Sequence, residues 1–175
     1  MDWGKLQKMN RTEIESKLSQ IEATLISQKE AYENGQGLMG GKLGIALFFL
    51  YYAKLTNKQE PYDFGLELIS KVFDDINNGF NFHTHASGLA GIGTILTLLT
   101  EADLLDADLN EILDGLDEYL YTLMIFEIQN GNYDFLHGSV GLALYFLKRK
   151  TNDSKKYLAE FIKELDKIAT KDEEG

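Results

Sequence analysis

Two glycines three positions apart open an almost wholly apolar run at three places in this chain. They are Gly41-Lys42-Leu43-Gly44 before residues 45–50, Gly88-Leu89-Ala90-Gly91 before residues 92–96, and Gly138-Ser139-Val140-Gly141 before residues 142–147. The first glycines of successive pairs are 47 and 50 residues apart. A period near fifty means one supersecondary unit per repeat, each leaning on its neighbours to complete a core. The repeat constrains the fold more than any other feature.

Between the apolar runs lie segments with one apolar stripe. From residue 10 to about residue 32, Ile14, Leu18, Ile21 and Leu25 recur at helical spacing, and Asn34-Gly35 is the expected stop. Residues 42–55 are apolar all round and are expected to be buried on all sides. After a loop over residues 56–61, Leu66, Ile69, Phe73 and Ile76 mark a one-sided helix to residue 77. The order repeats with an apolar run to about residue 102, a one-sided helix carrying Leu113, Leu116, Leu120 and Met124, and a third run to about residue 148. A last stripe follows at Leu158, Phe161, Leu165 and Ile168. The pattern predicts an all-α chain of about seven helices. Three apolar helices form an inner layer, shielded by amphipathic ones. All three glycine pairs should fall at one end, with Leu47, Ile95 and Leu144 on neighbouring inner helices.

A single proline, Pro61, against 16 glycines suits helices broken at glycine. The net charge of −11 argues against nucleic-acid binding and against anionic lipid. Without cysteine there is no disulfide, thiolate nucleophile or Cys-ligated zinc in this chain. No apolar run reaches a membrane span and the first residues lack a secretory core, so the expected location is the cytoplasm.

Other motifs fail on context. Gly35-x-Gly37-x-x-Gly40 matches a dinucleotide fingerprint, but an amphipathic helix stands where that fingerprint needs a strand. Asp106-x-Asp108-x-Asn110 starts like a calcium loop, yet its sixth position is Glu111 where the turn needs glycine. His83-Thr84-His85 supplies two imidazoles without a further ligand nearby in sequence. Ser87 and Ser139 carry no nucleophile-elbow signature.

Tyr133-Asp134-Phe135-Leu136-His137-Gly138-Ser139-Val140-Gly141 resembles the Tyr-Asp-apolar-apolar-x-Gly-x-x-Gly signature of the lanthionine synthetase C-like (LanC-like) cyclases. Ser87-Gly88-Leu89-Ala90-Gly91-Ile92-Gly93 is similar to another of that family's repeats. The resemblance implies an α/α toroid of helical hairpins, of which residues 10–169 cover the first three or so. It also implies addition of a peptide cysteine thiol to a dehydrated serine or threonine, with zinc held by two cysteines and a histidine.

By that resemblance Asp134 is the candidate catalytic residue, placed near the reacting thiol for proton transfer or orientation. Tyr133 and His137 are candidate binding residues, His137 in a variable position of the motif. The competing expectation is that Asp134 caps the following helix or bonds amides of its own loop. No metal site and no cofactor are expected within this chain, and the expected partner is a dehydrated precursor peptide.

Taken together, residues 1–175 are expected to form one domain with a frayed tail at 171–175. It would be the N-terminal part of such a cyclase, an incomplete ring inactive alone and prone to self-association through its open edges. The alternative from a different class is a non-catalytic helical module binding a peptide or protein on its concave face. A glycosidase-like toroid needs two carboxylates in a cleft, and only Asp134 qualifies.

Overall fold

The computed structural model describes residues 10–170. Among these residues there are seven α-helices, one short 3-10 turn (Lys29–Ala31) and no strand. The helices are α1 (Arg11–Ser27), α2 (Lys42–Thr56), α3 (Gln59–Asn77), α4 (Leu89–Glu101), α5 (Leu109–Gln129), α6 (Ser139–Arg149) and α7 (Asn152–Ile168). The expected all-α array of hairpins is therefore present. The tail expected to fray, 171–175, lies outside the described residues.

The glycine pairs open α2, α4 and α6, and α4 lies between the other two, so these three form the inner layer. Leu47, Ile95 and Leu144 do sit on neighbouring inner helices. Outside them, α3 packs along α2, α5 against α4 and α6, and α7 against α5 and α6. One apolar cluster runs through both layers, from Tyr32 and Leu43 through Leu96 and Leu120 to Phe146 and Phe161. None of the helices among the described residues is long and apolar enough to cross a membrane.

The inner helices are not buried on all sides, contrary to the sequence expectation. Tyr51, Leu55 and Leu147 are exposed, Tyr51 and Leu55 along a hollow that they share with Leu18 of α1. Helix α1 also differs. It has no buried residue, and Ile14 and Ile21 are 45% and 44% exposed, because its packing is mainly against α2, where Leu18 rests, while Leu25 packs half-buried on the core. It ends at Ser27 rather than near Asn34, since the chain bends to bury Tyr32. The Tyr32 hydroxyl then donates to the Leu25 carbonyl at 3.0 Å, near the helix end where such carbonyls lack partners.

Helix α3 starts three residues earlier than the periodicity suggests. Pro61 is accommodated in its first turn, where a helical N–H would have no intrahelical partner. The connection shrinks to Asn57 and Lys58, with Asn57 left-handed at φ 56° to close α2. Asp108, set aside as a calcium ligand, is the N-cap of α5 and accepts from the Asn110 and Glu111 amides at 3.0 and 3.4 Å.

At the end of the layer away from the glycine pairs, a buried charge cluster locks α5 to α6. Arg149 donates to Asp117 at 2.9 Å and to Asp114 at 2.7 Å, and the wholly buried Tyr145 donates its hydroxyl to Asp117 as well. Burial, with the Asp117 carboxylate second, pushes the Tyr145 hydroxyl far above the ordinary tyrosine range, so it stays a donor. Asp117→Ala leaves a buried guanidinium without its main partner. The expected cost is about 3–5 kcal/mol, read as a lower denaturant midpoint at unchanged slope.

Candidate functional site at the glycine end

Each inner helix begins at a glycine with no side chain to cap it. The preceding loop does the capping with its backbone. In the first unit the amides of Lys42, Leu43 and Gly44 donate to the carbonyls of Gly35, Gln36 and Gly37 at 2.8, 3.2 and 3.3 Å. In the second, Leu89, Ala90 and Gly91 donate to Phe82, His83 and Thr84 at 2.7, 3.3 and 3.4 Å. In the third, Ser139 donates to Asn132 at 3.0 Å. Every bond spans seven residues and satisfies a first-turn N–H that no helix can satisfy internally.

Such capping requires the loop to lie flat on the start of its helix. The second glycine of each pair faces the carbonyl six residues upstream, that of Leu38, His85 or Phe135. A Cβ at any of the three would sit well inside van der Waals distance of that oxygen. At Gly141 it would also come within 2.7 Å of the His85 Cβ. The glycine pairs thus serve the approach of a loop to a helix, and in these positions not the approach of helix to helix.

The loops are stitched to one another. The Met39 amide donates to the Ala86 carbonyl at 2.9 Å, and the Ala86 amide to the Leu136 carbonyl at 3.0 Å. Met39, Ala86 and Leu136 each stand five residues before the second glycine of their unit, so the register is common to all three. The three glycine pairs lie at one end, as expected.

Outer helices hold this end from behind. Asp75 of α3 pairs with the buried Lys42 at 2.9 Å and accepts from Gln36 at 3.2 Å. Glu127 of α5 meets His83 Nε2 at 3.1 Å and accepts from Asn132 Nδ2. Glu127 and Asn132 were not singled out in the sequence. Asn132 has a faint signal there, six residues before Gly138, whereas the Glu127 contact exists only in the folded chain.

Asp134 stands exposed at the tip of the third loop between exposed Tyr133 and Phe135. Its Oδ1 accepts from the His137 and Leu136 amides at 2.7 and 2.8 Å, and His137 Nδ1 approaches the same oxygen at 3.3 Å. The two backbone bonds, His137 first, hold its carboxyl below the ordinary carboxylate range, and the imidazole adds to this. Of the two structural alternatives, Asp134 bonds amides of its own loop and does not cap the helix. The structure brings Asp134 and His137 together, with Tyr133 beside them in the chain.

His83 and His85 diverge. His83 turns to Glu127, while His85 is 8% exposed, lies edge-on to the Phe135 ring at 5.6 Å, and has its buried Nδ1 unpartnered among the described residues. Burial lowers the His85 pKa and keeps the ring neutral. Ser139 is fully buried with its hydroxyl on the Asn132 carbonyl, and Ser87 faces Thr84 at 3.3 Å, so both serines are structural. The zinc implied by the sequence resemblance finds no fitting donors. The chain has no cysteine, and no group of three or more His, Cys, Asp or Glu among the described residues could hold a metal ion.

Inner helices opened by glycine pairs and capped by the loops before them, an outer layer clasping them, and a loop carboxylate at the capped end define a two-layered α/α hairpin repeat protein. The family described as Lanthionine synthetase C-like protein matches residues 32–175, and the chain belongs to it. Neither a curated protein nor a solved structure gives a match.

Two outcomes follow from the loop geometry. Gly141→Val should destabilise by roughly 1–3 kcal/mol through overpacking against the Phe135 carbonyl and His85, seen as a lower melting midpoint. Asp134→Ala should speed hydrogen exchange at the Leu136 and His137 amides, while Asp134→Asn, which keeps an acceptor oxygen, should retain most of the protection. Because the folded pKa is depressed, the charge-assisted part of that protection in the native chain should persist below the ordinary carboxylate range, and protection should fall toward the level of the Asp134→Asn chain only as pH drops through the lowered value.

Proposed function

We propose that the glycine end binds a dehydrated peptide and that Asp134 serves thioether-ring formation there by orientation and charge. The observation that carries this reading is the fixing of the Asp134 carboxylate. All three of its contacts fall on Oδ1, on an exposed loop tip between two exposed aromatic side chains. A carboxylate so stabilised is a weak base, which favours orientation over proton uptake. Its exposed position lets it accept a hydrogen bond from a peptide N–H, and Tyr133 and Phe135 offer apolar faces to neighbouring residues of that peptide. The family supports the substrate class, and the absence of thiolate ligands for zinc supports a segment that does not close rings unaided. The same reading puts this chemistry in the cytoplasm.

A second reading has one observation behind it. Tyr51 and Leu55 on α2 and Leu147 on α6 are exposed apolar side chains, which suits a non-catalytic module that holds a peptide against the inner helices.

Titrating a peptide carrying dehydroalanine and one cysteine against labelled protein separates the two. Amide shifts confined to residues 133–137, and affinity lowered roughly five-fold by Asp134→Ala, about the worth of one hydrogen bond, are expected. Shifts confined to α2 and α6 favour the second reading. Incubation of the peptide with this chain and zinc should yield no thioether ring, and measurable turnover overturns that expectation.

A further inference from the structure

The first carbonyl that caps each inner helix belongs to Gly35, Phe82 or Asn132, six residues before the first glycine of its pair. These equivalent positions carry different side chains. Gly35 has none, and Phe82 is 51% exposed. The Asn132 side chain instead folds back under its own loop, so close that a Cβ on Gly138 would fall 2.4 Å from Asn132 Oδ1. That loop is the one that carries Asp134.

The two ends of the Asn132 amide meet different partners. Oδ1 accepts from the Asp134 amide at 3.4 Å, and Nδ2 donates to Glu127 Oε2 on α5. The other Glu127 oxygen meets His83 Nε2 of the second loop at 3.1 Å. The Glu127 and His83 side chains are only 15% and 21% exposed, so water competes little for these bonds. A carboxylate accepts and cannot donate. Glu127 therefore selects the NH2 side of Asn132 and leaves the oxygen for Asp134. Turned the other way, the Asn132 NH2 would meet the Asp134 N–H donor against donor.

We propose that Glu127 and Asn132 are positioning residues for Asp134, with Glu127 acting through the orientation of the Asn132 amide. The assignment rests on the reading of Asp134 as the carboxylate that meets the peptide. Asn132 holds the Asp134 amide, and the Gly138 amide donates to the Asp134 carbonyl at 3.1 Å. With its backbone held on both sides, Asp134 turns one oxygen onto the Leu136 and His137 amides and offers a peptide a single carboxylate orientation.

The free chain and the peptide titration test this separately. Loss of the Glu127 charge would by itself lower the Asp134 carboxyl midpoint, because one carboxylate disfavours ionisation of another. Loss of positioning does the opposite, because the loop amides then bind the carboxylate less well. In Glu127→Ala and in Asn132→Ala the Asp134 midpoint, followed by NMR without peptide, should rise toward the ordinary carboxylate range. Glu127→Gln keeps an oxygen that accepts from Asn132 and should leave the midpoint at or below the native one. Circular dichroism melting checks that each variant is folded, and Asn132→Ala carries the test if Glu127→Ala is not. Against the peptide carrying dehydroalanine and one cysteine, Glu127→Ala should lose most of the roughly five-fold affinity that Asp134→Ala loses, and the double variant little more. A midpoint that falls or stays put in either folded alanine variant overturns the positioning role, and so do losses that multiply in the double variant. An Asp134→Ala chain that binds the peptide as well as the native one overturns the reading of Asp134 itself, and the midpoint then still decides whether Glu127 orients it.

Discussion

The fold depends on one repeated contact, the bond from a first-turn amide of an inner helix to a loop carbonyl seven residues upstream. It satisfies donors that a glycine N-cap leaves open, and it fixes where the loop must lie. Once the loop is flat on the helix, the second glycine has no room for a Cβ, and the loop's outer groups face the adjacent loop. The Met39–Ala86–Leu136 stitching, the common end for all three glycine pairs and the placement of Asp134 follow from that arrangement.

The same contact alters the electrostatics of these helix starts. An uncapped helix N-terminus attracts anions through its free amides. Here loop carbonyls occupy those amides in the first two units, so the glycine pairs that open α2 and α4 do not make a phosphate cradle. The carboxylate carried on the loops themselves, Asp134, is bound to loop amides of Leu136 and His137 and not to the helix.

Much of the architecture was legible in the sequence because it is written in spacing. The glycine pairs announce three equivalent helix starts, and alternation of stripes with apolar runs gives two layers. What spacing cannot convey is whether a face finds a partner. The stripe of α1 is as regular as that of α3, yet Ile14 and Ile21 stay exposed, while in the α3 stripe Ile69 is buried and Leu66, Phe73 and Ile76 pack half-buried against the core. Tyr32 bends the chain after α1 because a buried ring outweighs further helix, a tertiary effect that local propensity does not record. At the candidate site, the Tyr-Asp motif pointed to Asp134, but the oxygen that holds two amides and the Glu127–Asn132 brace are products of folding.

Backbone atoms cap these helices and stitch the loops together, so neither task depends on the side chains at the loop tips. The first loop carries no ionisable group between Gly35 and Gly41, the second carries two histidines, and the third an aspartate with a histidine. Three sockets of one shape hold three different chemistries. Substitution at one socket can change reactivity without re-specifying the frame, so long as the glycines beneath it remain. A fold whose instructions reside in missing side chains leaves the remaining ones free to specialise unit by unit.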